Sequence, residues 1–497
     1  MALNESDTRA KLIDPALHGR GWTEDLIKRE VNAGAIDVIG GKARRRTRER
    51  VDYTLRVKLN IDTQPVAIAL IEAKAESLPP AHGLEQAKAY GDAKRLNVPF
   101  VFATNGHLFV MYDRFSGQTS PPRPLSEFPS PAELQQRYEQ HMGFRLADPA
   151  AKPLLVRYSG GEAARRYYQD AAIRAALEQI ARATARGEPP RALLSLATGA
   201  GKTFIAVNLL RRIADAGLLR RALFICDRDE LRSQAAGAFR NLFGADAATV
   251  TSKNPQKNAR ILIATYQTLD IADEESTASF LARNYPADYF SHIVIDECHR
   301  SAWGKWSEVL RQNPHAVQIG LAATPRQLSG PEQSPEARAD AQITADNIRH
   351  FGEPVYEYDI AQGIEDGYLA ACEIYQNHIN IDGHGVTLAQ LMTRDPVDAR
   401  TGQPVPLDQL RQLYERQDFE DTLLLPDRLD LMCRDLFDQL LAGGGPEQKT
   451  IVFCVRDRHA GDVADKLNSL HGAWRRAQGL PPLDHYAFKC TAQAGGE

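Results

Sequence analysis

The stretch "SLATGAGKTFIAVNLL", residues 195–210, constrains this chain more than any other. An apolar run reads as a buried strand, a loop of small residues follows, and Lys202-Thr203 opens a helix. A strand, a tight turn and a helix N-terminus together make a cradle of backbone N–H groups that suits phosphate oxygens. Gly199 and Gly201 let the backbone approach the phosphates, with Thr198 and Ala200 completing the loop. Lys202 is placed to reach the β and γ oxygens, and Thr203 to hold Mg²⁺. The bland alternative is an ordinary strand–turn–helix.

A second stretch weighs against that alternative. In "HIVIDECHR", residues 292–300, four residues of a strand deliver Asp296 and Glu297 to its C-terminal end, where open α/β sheets bind ligands. Asp296 would hold Mg²⁺ through water, and Glu297 would orient an attacking water. Between these motifs and beyond them, "RALLSLA", "RALFIC", "ARILIAT", "SHIVID" and "AVQIGLAAT" are short apolar runs alternating with helices. That is the pattern of a parallel sheet covered on both faces.

At 497 residues the chain is too long for one ordinary core. The reading is α/β throughout, in five segments: residues 1–116, a linker at 117–161, a nucleotide-site domain at 162–328, an inter-domain segment at 329–369, and a further α/β piece at 370–497. In the first segment "TEDLIKREV" reads as a helix, "VDYTLRVKL" and "PVAIALIEAK" as strands, and "GLEQAKAYGDAKRL" as a helix. "VPFVFATNGHLFVMYD" reads as a hairpin around Asn105-Gly106. "SGQTSPPRPLSEFPSP" is too rich in proline, glycine and serine for regular structure. In the last segment "KTIVFCV" is the clearest strand, and residues 382–425 read as irregular.

The net charge of −4 argues neither for nor against nucleic acid, so any basic footprint is local. Residues 42–50 supply one, "KARRRTRER", with six Lys or Arg ahead of Asp52. It reads either as a solvated loop or as phosphate contacts, each of which steepens the salt dependence of binding. Six scattered cysteines with no Cys-x-x-Cys pair fit a reducing compartment and no zinc site. The polar N-terminus and the lack of a long apolar run give no expectation of a signal peptide or membrane span, hence a cytoplasmic protein.

"ALIEAKAES", residues 69–77, ends an apolar run with Glu72 and Lys74 two positions apart, on one face of a strand. A phosphodiester nuclease needs carboxylates for Mg²⁺ and a cation near the attacked phosphate. Asp52, on the preceding strand, falls beside Glu72 if the two strands pair antiparallel. Alone, Glu-x-Lys reads as a strand-end salt bridge. With Asp52, and with Gln86 and Tyr90 one helical turn apart just beyond, the arrangement resembles the PD-(D/E)xK nucleases. Val51 replaces the usual proline.

The phosphate loop with Asp-Glu-Cys-His resembles a superfamily 2 DNA helicase or translocase over roughly residues 160–490. "RYYQDAAI" resembles the adenine-reading glutamine motif, with Gln169 as the reader. "FICDRDELRSQ" and "ILIATYQTL" resemble the segments that contact the nucleic-acid backbone. "LAATPRQ" resembles the motif coupling ATP state to DNA grip; it has Ala322 where Ser or Thr is usual, leaving Thr324 for the coupling role. "KTIVFCVRDRHAGDVADKL" resembles the start of a second motor domain. His299 and Trp303 are expected to be structural or inter-domain residues.

Together these motifs resemble the restriction (motor and nuclease) subunit of type I restriction–modification enzymes. The resemblance implies a PD-(D/E)xK endonuclease-like domain followed by RecA-like domains, the second incomplete. It implies ATP and Mg²⁺ as cofactors and double-stranded DNA as substrate. It also implies methyltransferase and specificity subunits as partners, the latter choosing the DNA site. By it, Asp52, Glu72 and Lys74 cleave, Gln86 and Tyr90 support them, and Glu30, expected on the first helix, is either an additional metal-side acid or a solvated residue. No Gln-x-x-Gly-Arg-x-x-Arg type segment follows residue 450, which leads to the expectation of an N-terminal portion with little DNA-stimulated ATPase. The alternatives are a stand-alone superfamily 2 helicase whose N-terminal domain is a nucleic-acid-binding module, and an inactive assembly piece.

Overall fold

In this computed structural model the chain divides into two compact units, residues 1–372 and 373–497. The structure describes residues 2–32, 36–39, 42–45, 50–92, 95–158, 166–227, 229–269, 272–273, 276–298, 303–323 and 345–372 of the first. Of the second it describes 374–375, 377, 386–394, 396–398, 401–406, 410–414, 423–483 and 485–490.

The first unit holds two sheets. One is built from β1 (Ile27–Asn32), β2 (Arg50–Val57), β3 (Val66–Ala73), β4 (Phe100–Thr104), β5 (Leu108–Asp113), β6 (Gln118–Thr119) and β7 (Arg123–Pro124). Its order is β1-β2-β3-β4-β5-β6, with β7 also on β5. Only β3 and β4 run parallel; the crossover between them carries helix α1 (Leu84–Gly91). The expected hairpin is present: Thr104 pairs Phe109 across Asn105-Gly106, and Gly106 takes φ +88°. A Cβ on Gly106 would lie 2.9 Å from Leu12 Cβ, so the glycine also admits the N-terminal helical segment.

Two expectations for this region change. "TEDLIKREV" is not helical: Ile27–Asn32 is an antiparallel strand, with Ile27 opposite Leu55 and Arg29 opposite Tyr53. Pairing along β2 meets its backbone hydrogen-bonding needs, and Arg29 is anchored on Glu24, Asp14 and the Tyr53 ring. The helical segment instead lies earlier, as Glu5–Thr8, a π-turn at Arg9–Ile13, and Asp14–Gly19. The stretch after Gly117, expected to be irregular, supplies β6, β7 and helix α2 (Pro131–Met142). Ser130 and Glu133 cap α2 reciprocally, and Gly143 ends it with φ +75°.

The second sheet is β8 (Arg191–Leu196), β9 (Ala222–Cys226), β10 (Ala247–Thr249), β11 (Ile261–Thr265), β12 (His292–Ile295), β13 (Val317–Ala322) and β14 (Tyr356–Tyr358). All pairs are parallel, in the order β10-β11-β9-β12-β13-β8-β14. The five runs read as strands are strands, and β9 and β11 are buried along their whole length. Helices α3 (Tyr167–Ala185) and α4 (Lys202–Asp215) pack against each other beside this sheet.

In the second unit "KTIVFCV" is not a strand. Ile451 is 80% and Phe453 93% exposed. A strand needs a neighbour for its backbone groups, and the described residues of this unit offer only two-residue pairs, Val386–Thr387 with Leu413–Tyr414 and Val397–Asp398 with Leu423–Leu424. Helices Pro426–Ala442 and Asp457–Ala477 pack on each other. Among the described residues no helix is long and apolar enough to cross a membrane, and all six cysteines are free.

Candidate active sites

The first centre sits on β2 and β3. With Tyr53 opposite Ile71, antiparallel pairing sets Asp52 beside Glu72. The Ala73 N–H donates to Asp52 Oδ2 at 2.7 Å. Lys74 Nζ donates to Glu72 Oε1 at 2.7 Å and to Gln86 Oε1 at 3.1 Å. Gln86 Nε2 donates to the Tyr90 hydroxyl at 3.2 Å, one turn along α1. Asp52, Glu72, Lys74, Gln86 and Tyr90, picked from three separate stretches, therefore meet in one cluster. Gly83 makes this approach possible: a Cβ there would stand 2.7 Å from Lys74 Cε and 2.9 Å from Glu72 Cγ.

Both acids are buried in a largely apolar sheet. Burial pushes the Asp52 carboxyl above its usual range, against the opposing pull of the Ala73 N–H and of Arg9. It pushes Glu72 up to about 7; Lys74 pulls it back down, and the Asp52 charge adds to the rise. Burial works against the Lys74 ammonium, but Glu72 and the neighbouring carboxylates outweigh it and raise its pKa. Glu72 Oε2 is buried without a hydrogen-bond partner. An orphaned carboxylate oxygen next to a second carboxylate fits a hard divalent cation. Mg²⁺ needs only one or two carboxylates and keeps several waters. Among the described residues no three His, Cys, Asp or Glu gather as a metal-binding group.

Glu30 lies on strand β1, not on a helix, with φ +52°. It reaches the centre indirectly, through Arg9 at 3.7 Å, and also pairs with Arg50 at 3.0 Å. Two residues not singled out in the sequence stand closer. Arg9 NH1 is 3.1 Å from Asp52 Oδ1, and Glu5 Oε2 is 4.0 Å from Lys74 Nζ. Their spacing of four positions puts both on one helical face. In "NESDTRAKLID" nothing but that spacing separates them from a solvated helix. Of the basic run, Lys42–Arg45 is a strand paired with Ile36–Ile39, while residues 46–49 lie outside the described residues.

The second centre lies at the C-terminal ends of β8 and β12. Strand β13 runs between them, with Ser195 level with Ala322 and Ile295 level with Gly320. The two motifs therefore leave the sheet on the same side. Gly199 and Gly201 take φ +85° and +86°, which a side chain would strain. Thr198 and Gly199 are exposed and Ala200 is buried. Lys202 opens α4, and its Nζ lies 3.0 Å from Glu297 Oε1 and 3.4 Å from the Leu196 carbonyl. Glu297 holds φ +53°, a strained backbone for a non-glycine residue, and its N–H donates to Asp296 Oδ1 at 3.0 Å. Lys202, Asp296 and Glu297 are thus brought together in the apolar end of the sheet, and Thr203 follows in the first turn of α4. Gln169 sits behind the loop, donating to the Ala200 carbonyl at 3.5 Å, while the Tyr168 hydroxyl donates to the same oxygen at 2.8 Å. Thr324 and His299 lie outside the described residues, as does the side chain of Trp303.

Known proteins resemble this chain over part or most of its length. The family model described as "Type III restriction enzyme, res subunit" matches residues 162–327. The chain is 32% identical, over 98% of its length and 56% of the relative's, to the type I restriction enzyme EcoAI endonuclease subunit of Escherichia coli. It is 26% identical, over 81% of its length and 34% of the relative's, to the EcoKI endonuclease subunit of Escherichia coli strain K12. A solved fragment described as a candidate HsdR subunit of a type I restriction enzyme from Vibrio vulnificus YJ016 superposes with a TM-score of 0.65. It is 27% identical, covering 96% of this chain and 77% of that one. The chain thus spans about half, or less, of the length of these curated relatives.

Proposed function

Because this chain is a relative of the endonuclease subunits of type I restriction enzymes, we propose that it serves as the motor and nuclease part of such an enzyme. In this reading it is an ATP-dependent DNA translocase and Mg²⁺-dependent endonuclease of the cytoplasm that cuts unmodified foreign double-stranded DNA. It works with methyltransferase and specificity subunits. The proposed division is a nuclease-like domain at 1–116, a connecting segment at 117–161, a first RecA-like domain at 162–328, an inter-domain segment at 329–369 and part of a second RecA-like domain at 370–497.

The observation that carries this reading is the convergence of Asp52, Glu72 and Lys74, backed by Gln86 and Tyr90, in the same compact unit as the Lys202–Glu297 pair. In the nuclease centre Asp52 and Glu72 would hold Mg²⁺, which supplies an activated water and neutralises phosphoryl charge. Lys74 presents its ammonium where the attacked phosphate lies, and Gln86 keeps it aimed. In the motor centre the Gly199–Gly201 backbone and Lys202 bind the phosphates, Thr203 and Asp296 would hold the nucleotide's Mg²⁺, Glu297 orients the water, Gln169 reads the adenine, and Thr324 couples the site to DNA. A stand-alone helicase with an N-terminal binding module is the alternative. It does not account for a buried carboxylate pair with an orphaned oxygen.

The test uses the chain assembled with its methyltransferase and specificity partners. Lys74→Ala should remove DNA cleavage and leave ATP turnover in place, because the two centres lie on different sheets. Lys202→Ala should abolish ATP turnover and, with it, cleavage that depends on translocation. Cleavage retained in Lys74→Ala would exclude the nuclease assignment.

A further inference from the structure

The N-terminal helical segment is fixed against the nuclease centre. Ile13 and Leu17 are fully buried. The Leu3 N–H donates to Glu76 Oε2 at 2.7 Å, and the Glu76 N–H donates to the Leu3 carbonyl and to Thr8 Oγ1, each at 3.2 Å. Glu76 stands two residues beyond Lys74, so these contacts tie the segment to the end of the catalytic strand. From this support Arg9 points its guanidinium at Asp52 Oδ1, 3.1 Å away. Its carbon stands 5.3 Å from the Tyr53 ring centroid. Arg9 opens a π-turn, a distortion that concentrates at functional sites.

Asp52 is paired with Arg9 and Glu72 with Lys74, an acid–cation balance flanked by Glu30, 3.7 Å from Arg9, and Glu5, 4.0 Å from Lys74. A dication at the carboxylates upsets that balance, and a guanidinium 3 Å from one of the ligand oxygens opposes it. A phosphodiester arriving with the dication restores it. Lys74 is committed to Glu72 and Gln86. Arg9 has further N–H donors in a fork that matches phosphate oxygens.

We propose that Arg9 is an exchangeable counter-ion of the nuclease centre: it neutralises Asp52 until cation and DNA enter together, and then passes from the carboxylate to a phosphate oxygen. This rests on the nuclease reading given above. It makes Arg9 a positioning residue that couples the two bindings, so that each strengthens the other. Arg9 therefore weakens cation binding alone and strengthens DNA binding.

The experiment measures two affinities of the full chain without nucleotide. One is for Mg²⁺ by calorimetry, counting only the binding that Asp52→Asn removes. The other is for a fluorescent duplex oligonucleotide in Ca²⁺, at several salt concentrations. Arg9→Gln should bind Mg²⁺ about 3- to 10-fold more tightly and the duplex about 3- to 10-fold more weakly. The salt slope should fall by about 0.9, one phosphate contact. Arg9→Lys keeps the charge and should move both quantities less, which also covers an Arg9→Gln chain that fails to fold. A merely structural arginine would weaken both bindings together. Unchanged or weaker Mg²⁺ binding in a folded Arg9→Gln chain overturns the inference, as does an Arg9→Lys chain that matches Arg9→Gln. If Asp52→Asn removes no Mg²⁺ binding at all, the nuclease reading itself falls, and this inference with it.

Discussion

Glu72 shows what burial does to a single acidic residue. Its side chain is 3% exposed, and burial lifts its pKa from 4.5 to about 7. A carboxyl whose pKa is raised on folding adds stability below its unfolded pKa and loses it as pH climbs through the folded one. Without divalent ions, the chain should therefore lose stability between about pH 4.5 and pH 7. The Glu72-dependent part is bounded at about 3 kcal/mol from the size of the shift. Glu72→Gln should flatten that part of the profile, and Mg²⁺ should flatten it in the unsubstituted chain by replacing the proton. Denaturant melts from pH 5 to pH 8 measure it; equal slopes with and without Glu72 would exclude the mechanism. Glu72 and Lys74 were visible in the sequence because strand alternation puts them on one face, and Asp52 because one strand precedes the other. Arg9 was not, because its contact with Asp52 spans 43 positions, which no local pattern encodes.

Helix α3 ties the two sheets together. Gln169 near its N-terminus lies behind the phosphate loop. One turn and more along, Arg174 is 7% exposed and donates to the carbonyls of Ala67 on β3 (2.5 Å), Leu96 (2.6 Å) and Asn97 (2.8 Å). Further on, buried Glu178 accepts from the Tyr138 hydroxyl of α2 at 2.8 Å. Burial raises the Glu178 pKa, while Arg174 and Tyr138 pull it down. Arg174→Ala would strand three carbonyls and leave Glu178 without its nearest cation, a loss on the order of 3–5 kcal/mol. Arg174→Lys, with fewer donors and no fork, should recover only part of it. A denaturant midpoint within experimental error of the unsubstituted chain would show that the sheets are held some other way. Such elements were half legible. The strands of the parallel sheet announced themselves as short apolar runs bounded by turns. "TEDLIKREV" and "KTIVFCV" misled for opposite reasons. The first has helix-forming composition overridden by a partner strand, and the second has strand composition with no partner among the described residues.

Across the whole molecule, buried apolar mass is unevenly spread. In the first unit one large cluster runs under both sheets and a second lies on the parallel sheet, and Trp22, Tyr53, Phe100, Tyr138 and Tyr168 are almost wholly inaccessible. Among the described residues the clusters of the second unit are small. One gathers Val386, Leu391, Tyr414, Leu423 and Leu425; the other gathers Cys433, Val463 and Leu467 between the two long helices. Ile451, Phe453 and Val455 meanwhile face solvent. Burial contributes about 25 cal/mol per Å² of apolar surface, against an ordering entropy paid by every residue in either unit. The smaller share of burial must therefore leave residues 373–497 nearer the melting point than residues 1–372, and the chain should unfold in at least two steps. In hydrogen exchange followed by mass spectrometry, peptides from Pro426–Ala442 and Asp457–Ala477 should exchange well before those from β3, β9 and β11. Brief proteolysis should leave a resistant fragment ending near residue 372 that still carries both candidate centres. Exchange at one common rate across the two units would show that the second draws its stability from elsewhere than its own core.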